Sequence, residues 1–392
     1  MSGERLRRIH ESIQRHIDAG EISGAVTLVA RRGRVVHFEA HGLMDLELKK
    51  PMERDTIFRL ASMSKPVAGV AVLMLVEEGK IRLSDPVSKY VPEFKGLKVA
   101  VAKHAPPRAP GQPPAEPEYY TVPADREITV RDLLTHTSGL GSWGGITAPE
   151  FARVLQARKP QERLADFIPR LAALPLDYQP GTLWRYSGLA GFDTLGRIVE
   201  VASGLPYDQF LEQRLFGPLG MKDTSFWVSE ERRTRLVTLY RRGANGQLER
   251  NPNQEALMSK TYFSGAGGLT STAEDYLQLA QMLANGGELN GKRFLSPRTV
   301  ELMASNHVGD MFNGQLGRPA HGMGFGLSVA VIQDAVAAGL RVSNGSFGWD
   351  GAFGTQVWID PKEKMVDILM IQTQVPPVQR DFENAVMQAI VE

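Results

Sequence analysis

The chain contains no cysteine, which excludes disulfides, thiolate metal sites and a cysteine nucleophile. Long apolar runs are missing too. The longest starts at Pro66 and ends at Val76, too short to span a bilayer. The first residues, MSGERLRRIHESIQRHIDAG, have neither an apolar h-region nor a small-residue cleavage site, so no signal peptide is expected. Charge of one sign does not accumulate either. The net charge is +1 with acids and bases mixed throughout, and no basic face or tail invites nucleic acid. These absences lead us to expect a soluble, cytoplasmic protein with neither nucleic acid nor membrane as partner. Nothing in the composition fixes an oligomeric state.

The 392 residues are 42% hydrophobic and 23% charged, ordinary for a globular chain with a large core. Leu6, Ile9, Ile13 and Ile17 recur at helical spacing, and Gly20 can end that helix. Two β-rich runs in AVTLVARRGRVVHFEAHG flank Arg31-Arg32-Gly33-Arg34 and read as a hairpin. GTQVWIDPKEKMVDILMIQ is a second hairpin, turning at Asp360-Pro361-Lys362. A closing helix follows in DFENAVMQAIVE, with Asp381 as its expected cap and Phe382, Val386 and Ile390 on one face. Between these ends the chain is mostly helical, as in PYDQFLEQRLFGPLG and STAEDYLQLAQMLANGG. The second stretch opens on an expected Ser271-x-x-Glu274 capping box.

This order predicts an α+β fold. Both terminal hairpins join one antiparallel sheet covered by the terminal helices, formed by residues 1–60 and 320–392, and residues 61–319 form a helix-rich lobe. Such a division places a cleft between sheet and helices. Residues 103–125, rich in proline and alanine, are expected to form a long surface loop.

One stretch raises a chemical question. FRLASMSKPVAGVAVLMLV places Ser62 and Lys65 three apart at the head of the apolar run. Residues i and i+3 of a helix share a face, about 5–6 Å apart at Cβ, so hydroxyl and amine can meet. A helix N-terminus favours negative charge near Ser62. Burial and the helix end both lower a lysine pKa, which suits Lys65 to act as a base. Ser-x-x-Lys also arises by chance, and a serine ahead of a helix is ordinarily a cap. Ser64 competes as nucleophile, but beside Lys65 it points to another face.

The company of this motif decides between these readings. LLTHTSGL lies at 133–140, PGTLWRYSGLAGFDTLGRIVEVASG at 180–204 and GWDGAFGTQVWI at 348–359. With these motifs in this order the sequence resembles the serine β-lactamase-like superfamily. That group includes class C β-lactamases, low-molecular-weight penicillin-binding proteins, D-aminopeptidases and family VIII carboxylesterases. The resemblance runs from about residue 20 to the C-terminus. It implies a β-lactamase/transpeptidase-like fold, with Ser62 as the acylated nucleophile and Lys65 as its activating base. Tyr186, read alone, is a core aromatic with a satisfied hydroxyl. By resemblance it is the tyrosine of the family's Tyr-x-Asn element and shares the base role. The resemblance further implies an oxyanion hole made by the backbone N–H groups of Ser62 and Ala352, and a cycle that needs no metal or organic cofactor.

Two departures from the family pattern bear on substrate. The Lys-Thr-Gly element of β-lactamases, whose lysine helps hold the substrate carboxylate, is here Trp349-Asp350-Gly351. A penicillin carboxylate would then meet no lysine and would sit near Asp350, which is unfavourable. Trp349 would line the acyl or alcohol pocket; its plainer role is an edge-strand aromatic packed on the core. Gly351 would let a substrate lie along the strand. Tyr186-Ser187-Gly188 also lacks the amide of Tyr-x-Asn. Family VIII esterases have a similar Trp-x-Gly element, so the expected activity is a carboxylesterase acting on small or medium acyl esters. A β-lactamase, D-aminopeptidase or acyltransferase on the same scaffold is the alternative. A non-catalytic penicillin-binding-like module is a rival of another class.

Four further motifs are weaker. His37-Phe-Glu-Ala-His41 looks like a metal motif but falls on an expected strand, where residues four apart are separated by about 13 Å. His136 beside Ser138 suggests a catalytic pair, yet no aspartate partner is evident, and a structural turn is expected. NGSFG at 344–348 lacks the first glycine of a nucleophile elbow and its strand–turn–helix setting. SGAGGL at 264–269 lacks the Gly-Lys-Ser/Thr ending of a phosphate loop.

Overall fold

The computed structural model describes residues 1–103 and 116–392. The chain opens with α1 (Gly3–Asp18), whose Leu6, Ile9 and Ile13 are buried while the opposite face is exposed. Then come β1 (Gly24–Arg31), β2 (Arg34–Asp45) and the short β3 (Lys50–Pro51). Near the other end lie β4 (Met323–Phe325), β5 (Ala330–Ile332), β6 (Phe347–Asp350), β7 (Gln356–Asp360) and β8 (Met365–Met370). All eight join one sheet in the order β4-β5-β6-β7-β8-β1-β2-β3. The two ends of the chain meet where β8 pairs antiparallel with β1, Val26 opposite Met370 and Arg31 opposite Met365.

Strand alternation assigns the two faces of this sheet. Val26, Leu28 and Ala30 of β1, with Val366, Ile368 and Met370 of β8, join the core that also buries helix α2 (Ser64–Glu77). Ala25 and Val29, with Met365 and Leu369, pack instead with α1 and the closing helix α5 (Pro376–Met387). Helix α2 is buried from Ser64 to Leu75, as its all-round apolar sequence requires. It packs against α3 (Ala190–Ser203). Helix α4 (Ala273–Ala284) lies against β7 and β8. No helix among the described residues is long and apolar enough to cross a membrane.

Three expectations are corrected. Asp381 does not cap the closing helix, which starts earlier at Pro376, where proline's fixed φ suits a first turn. Asp381 sits mid-helix, and its carboxylate meets Nε2 of His16 on α1 at 3.1 Å. The helix expected to start on Ser271 is capped by Thr272, whose hydroxyl accepts from the Asp275 N–H. Ser271 is held one residue earlier in a short ladder opposite Phe58. The 103–125 stretch is not loop throughout, since Tyr119–Pro123 pairs antiparallel with Lys98–Ala102. Residues 104–115 of that expected loop lie outside the described residues.

Candidate active site

Ser62 lies in a 3₁₀ turn, Ala61–Met63, that runs directly into α2. In such a turn residues i and i+3 eclipse, and Lys65 Nζ donates to Ser62 Oγ at 3.2 Å. Ala61, immediately before it, holds a left-handed φ of 47°, a conformation that strains a residue carrying a Cβ. Ser64 is turned away. Its hydroxyl is fully buried and accepts from the Leu269 N–H at 3.1 Å.

Tyr186 arrives from a distant loop. Its hydroxyl donates to Ser62 Oγ at 2.6 Å. The Lys65 ammonium has three protons and meets three acceptors: Ser62 Oγ, the Gly188 carbonyl at 2.9 Å and the Ala266 carbonyl at 2.7 Å. Ala266 belongs to the SGAGGL stretch, which therefore braces Lys65 and, through Leu269, the start of α2. Behind it sits Asp193 on α3. The Asp193 carboxylate accepts from Tyr262, from Ser264 and from the Ala266 N–H. Burial pushes the Asp193 carboxyl up, against those hydrogen bonds and the Lys65 charge. Asp193 thus positions the carbonyl that holds Lys65.

His136 does not pair with Ser138, whose hydroxyl accepts from the Leu140 N–H. It occupies a turn with φ of 57°, and its ring lies 4.7 Å from the Tyr186 ring. Nδ1 accepts from the Ser187 N–H at 3.2 Å. Complete burial, with Lys65 nearby, holds this imidazole well below its ordinary pKa. It is a neutral packing and positioning group under the Tyr186 loop.

The Trp349-Asp350-Gly351 element completes the cleft. β6 is an interior strand, but β5 pairs only with Phe347 and Gly348, so the end carrying Trp349 and Asp350 reaches past its neighbour. Gly351 N–H donates to the Thr355 carbonyl and Thr355 Oγ1 donates to the Leu60 carbonyl. This tether joins the Ala352 turn to the segment before Ser62. A Cβ on Gly351 would lie well under 3.0 Å from both the Leu60 oxygen and Thr355 Oγ1. Close packing of the chain on itself therefore requires this glycine, which also lines the Ser62 cleft. Among the described residues, neither the Ser62 nor the Ala352 amide has a protein acceptor, and both residues line one cleft of about 280 Å³.

Trp143, Leu316, Arg318 and Gln374 line that cleft too, and the sequence reading had missed all four. Trp349 is 1% exposed and forms a floor packed on Tyr186, Phe312 and Phe325. Asp350 is not a bare carboxylate: Arg318 donates to it at 2.6 Å while its guanidinium stacks over Trp349. The cleft therefore holds an arginine, supplied from another segment and paired with Asp350. Trp143 donates its backbone N–H to the Tyr186 carbonyl, and its side chain packs edge-on against the Tyr186 ring at 5.0 Å.

His37 and His41 share β2 as expected, in regular register opposite Val29 and Ala25, and their side chains lean towards each other. The Thr27 hydroxyl meets His37 Nε2 at 2.7 Å and His41 Nε2 at 2.9 Å, and the two rings are 6.5 Å apart.

A serine touched by both a tyrosine and a lysine, beside two free amides, is equipped for acyl transfer. The chain is similar to several known proteins. Protein Rv1367c of Mycobacterium tuberculosis is 38% identical over 92% of this chain and 88% of its own. Esterase EstB of Burkholderia gladioli is 30% identical over 89% of this chain and 86% of its own. The structure of EstCE1, described as a hydrolase with promiscuous acyltransferase activity, superposes with a TM-score of 0.81 at 29% identity, over 98% of this chain and 99% of that one. The Beta-lactamase family model matches residues 9–392. By fold, by sequence and by the groups gathered on Ser62, this chain belongs to the Beta-lactamase family and is one of its serine hydrolases.

Proposed function

We propose that the protein is a carboxylesterase that hydrolyses small or medium acyl esters through an acyl-Ser62 intermediate. The observation that carries this reading is the pair of contacts on one oxygen: Tyr186 Oη at 2.6 Å and Lys65 Nζ at 3.2 Å from Ser62 Oγ. Two backbone carbonyls also accept from Lys65, so in this reading Lys65 orients the site and Tyr186, at the shorter distance, moves the proton.

As phenolate beside that ammonium, Tyr186 takes the Ser62 proton while Oγ attacks the ester carbonyl. The oxyanion is received by the N–H groups of Ser62 and Ala352, donors whose loss in comparable sites lowers rates by about 10²–10³. Tyr186 then returns its proton to the departing alkoxide. A water loses its proton to the same phenolate, attacks acyl-Ser62 and releases the acid. Ser62 recovers its proton from Tyr186. No step requires a metal or an organic cofactor.

Substrate preference follows from the lining. Trp349 floors the cleft, and the exposed Trp143 and Leu316 make its mouth apolar, which suits an uncharged acyl or alcohol group. Relatives called an esterase and a hydrolase with acyltransferase side activity support ester chemistry. They also support transfer to an alcohol as the second reading, because an apolar mouth admits an alcohol as readily as water. A β-lactam carboxylate would have to displace Asp350 from Arg318.

The test is hydrolysis of p-nitrophenyl acetate, butyrate and octanoate, with nitrocefin alongside, by wild type and Ser62→Ala. Intact-mass spectrometry after treatment with a serine-reactive phosphonate accompanies it. Ester turnover and one adduct, both absent in Ser62→Ala, support the reading. Strong nitrocefin turnover with little ester turnover would replace it by a β-lactamase. No adduct and no turnover would leave a binding module.

A further inference from the structure

On the α1 face of the sheet, three side chains converge that take no part in the Ser62 cleft. Nδ1 of His10, on α1, lies 2.6 Å from Oε1 of Glu39, on β2. Nδ1 of His41, two residues further along β2, lies 3.9 Å from the same oxygen. One ligand atom from each of the three falls within 4.8 Å of the other two. Ligands on one tetrahedral ion with bonds of about 2.0–2.1 Å sit about 3.3 Å apart. Small side-chain adjustments bring these atoms to that spacing.

The His41 imidazole is oriented for this role. Its side chain is fully buried, and its Nε2 is fixed by the Thr27 hydroxyl at 2.9 Å. Metal-binding histidines commonly have their second nitrogen fixed in this way. Nδ1 is left buried without a hydrogen-bond partner, facing Glu39 and the His10 ring, whose centroid is 5.3 Å away. A buried polar atom without a partner is costly unless something fills the position. His10 and Glu39 line an open cleft of about 420 Å³ together with Arg7 and Glu11, so an ion and a completing water can enter from solvent.

We propose that His10, Glu39 and His41 bind one late first-row divalent ion, zinc foremost, clamping α1 to β2. Two imidazoles and one carboxylate suit zinc, cobalt, nickel or copper, whereas magnesium and calcium call for oxygen ligands. The helix supplies one ligand and the strand two, so the ion would reinforce a cross-link that the His10–Glu39 contact already begins. Thr27 and His37 form the outer shell.

The experiment uses the untagged full-length protein, stripped with chelator and titrated calorimetrically with zinc chloride and, separately, magnesium chloride. One equivalent of zinc, none of magnesium and a higher Tm in the zinc-loaded protein are expected. His10→Ala, at an exposed helix position, and Glu39→Gln should each weaken zinc by about 100-fold or more, since even outer-shell changes are worth about 10–100-fold. Cobalt should give the visible bands of a tetrahedral site in wild type and not in either variant. p-Nitrophenyl ester turnover should be the same in stripped, loaded and variant protein. No saturable binding, or zinc affinity unchanged in both variants, would overturn the site. Loss of turnover in Glu39→Gln with zinc affinity intact would overturn the assignment of Glu39 as a ligand.

Discussion

Trp143 occupies the space that a side chain at position 188 would need. A Cβ on Gly188 would lie well under 3.0 Å from the Trp143 indole nitrogen, while the Gly188 carbonyl holds Lys65. The missing amide of the Tyr-x-Asn pattern and the indole at the cleft mouth are therefore one change seen from two places. The absence of a side chain at 188 lets the Trp143 indole, 62% accessible, stand close over the Gly188 backbone.

Replacing that indole should narrow the substrate range. In Trp143→Ala, KM for p-nitrophenyl octanoate is expected to rise about tenfold, the equivalent of burying roughly two methylene groups less. KM for the acetate should change little. Steady-state kinetics across the ester series reads this directly, and an equal effect on all chain lengths would argue against an acyl contact.

Tyr186→Phe keeps the ring on His136 and Trp349 and removes only the hydroxyl 2.6 Å from Ser62. kcat should fall by about 10²–10⁴, the usual range for a positioned acid–base group, with KM nearly unchanged. Lys65→Ala should lower kcat at least as far. It should also lower Tm, because the Gly188 and Ala266 carbonyls lose their buried donor.

Asp350→Asn releases the Arg318 guanidinium from its ion pair. Substrates with a carboxylate, nitrocefin among them, should gain about five- to tenfold in kcat/KM. Neutral esters should change by less than about twofold, since one cation–carboxylate contact in a partly wet cleft is worth about 1 kcal/mol. Parallel assays of a neutral ester and nitrocefin check the contrast.

Asp367 on β8 is buried with Oδ1 unpartnered. Burial, reinforced by Glu383 and Asp360, raises its carboxyl well above the ordinary range. Below the ordinary carboxylate pKa both folded and unfolded chains are protonated and nothing is lost. Between that value and the raised folded one only the unfolded chain ionises, so stability falls as pH rises. Asp367→Asn should therefore match wild type in Tm near pH 4 and exceed it by several degrees at pH 7–8. Glu383 is raised in the same sense, so part of the slope should remain. Differential scanning calorimetry across this range measures both.

Much of this was legible in the sequence because it is local. Ser62 and Lys65 meet because a helical turn brings i and i+3 together, and that holds whatever the rest of the chain does. The terminal hairpins were readable from alternation, turn residues and the apolar stripe of α1. Boundaries were less secure. The cap at Thr272 and the early start at Pro376 depend on which backbone N–H groups a neighbouring strand or a proline already claims, and periodicity does not show that.

Residues brought in from far along the chain could not be read. Arg318 meets Asp350, Trp143 fills the space over Gly188, Asp193 steadies Ala266, and His10 faces His41 across a helix–strand contact. No spacing or propensity encodes these pairs. Their distances are set by the sheet register, which pairs β1 with β8, and by the packing of α2 and α3 beneath the cleft. The sequence by itself determined the pairing of Ser62 with Lys65 and the α+β layout, through short-range geometry. The tertiary structure alone decided the sign of the charge beside the cleft, the shape of its mouth and the company of the buried histidine, since these arise where side chains of distant segments compete for the same space.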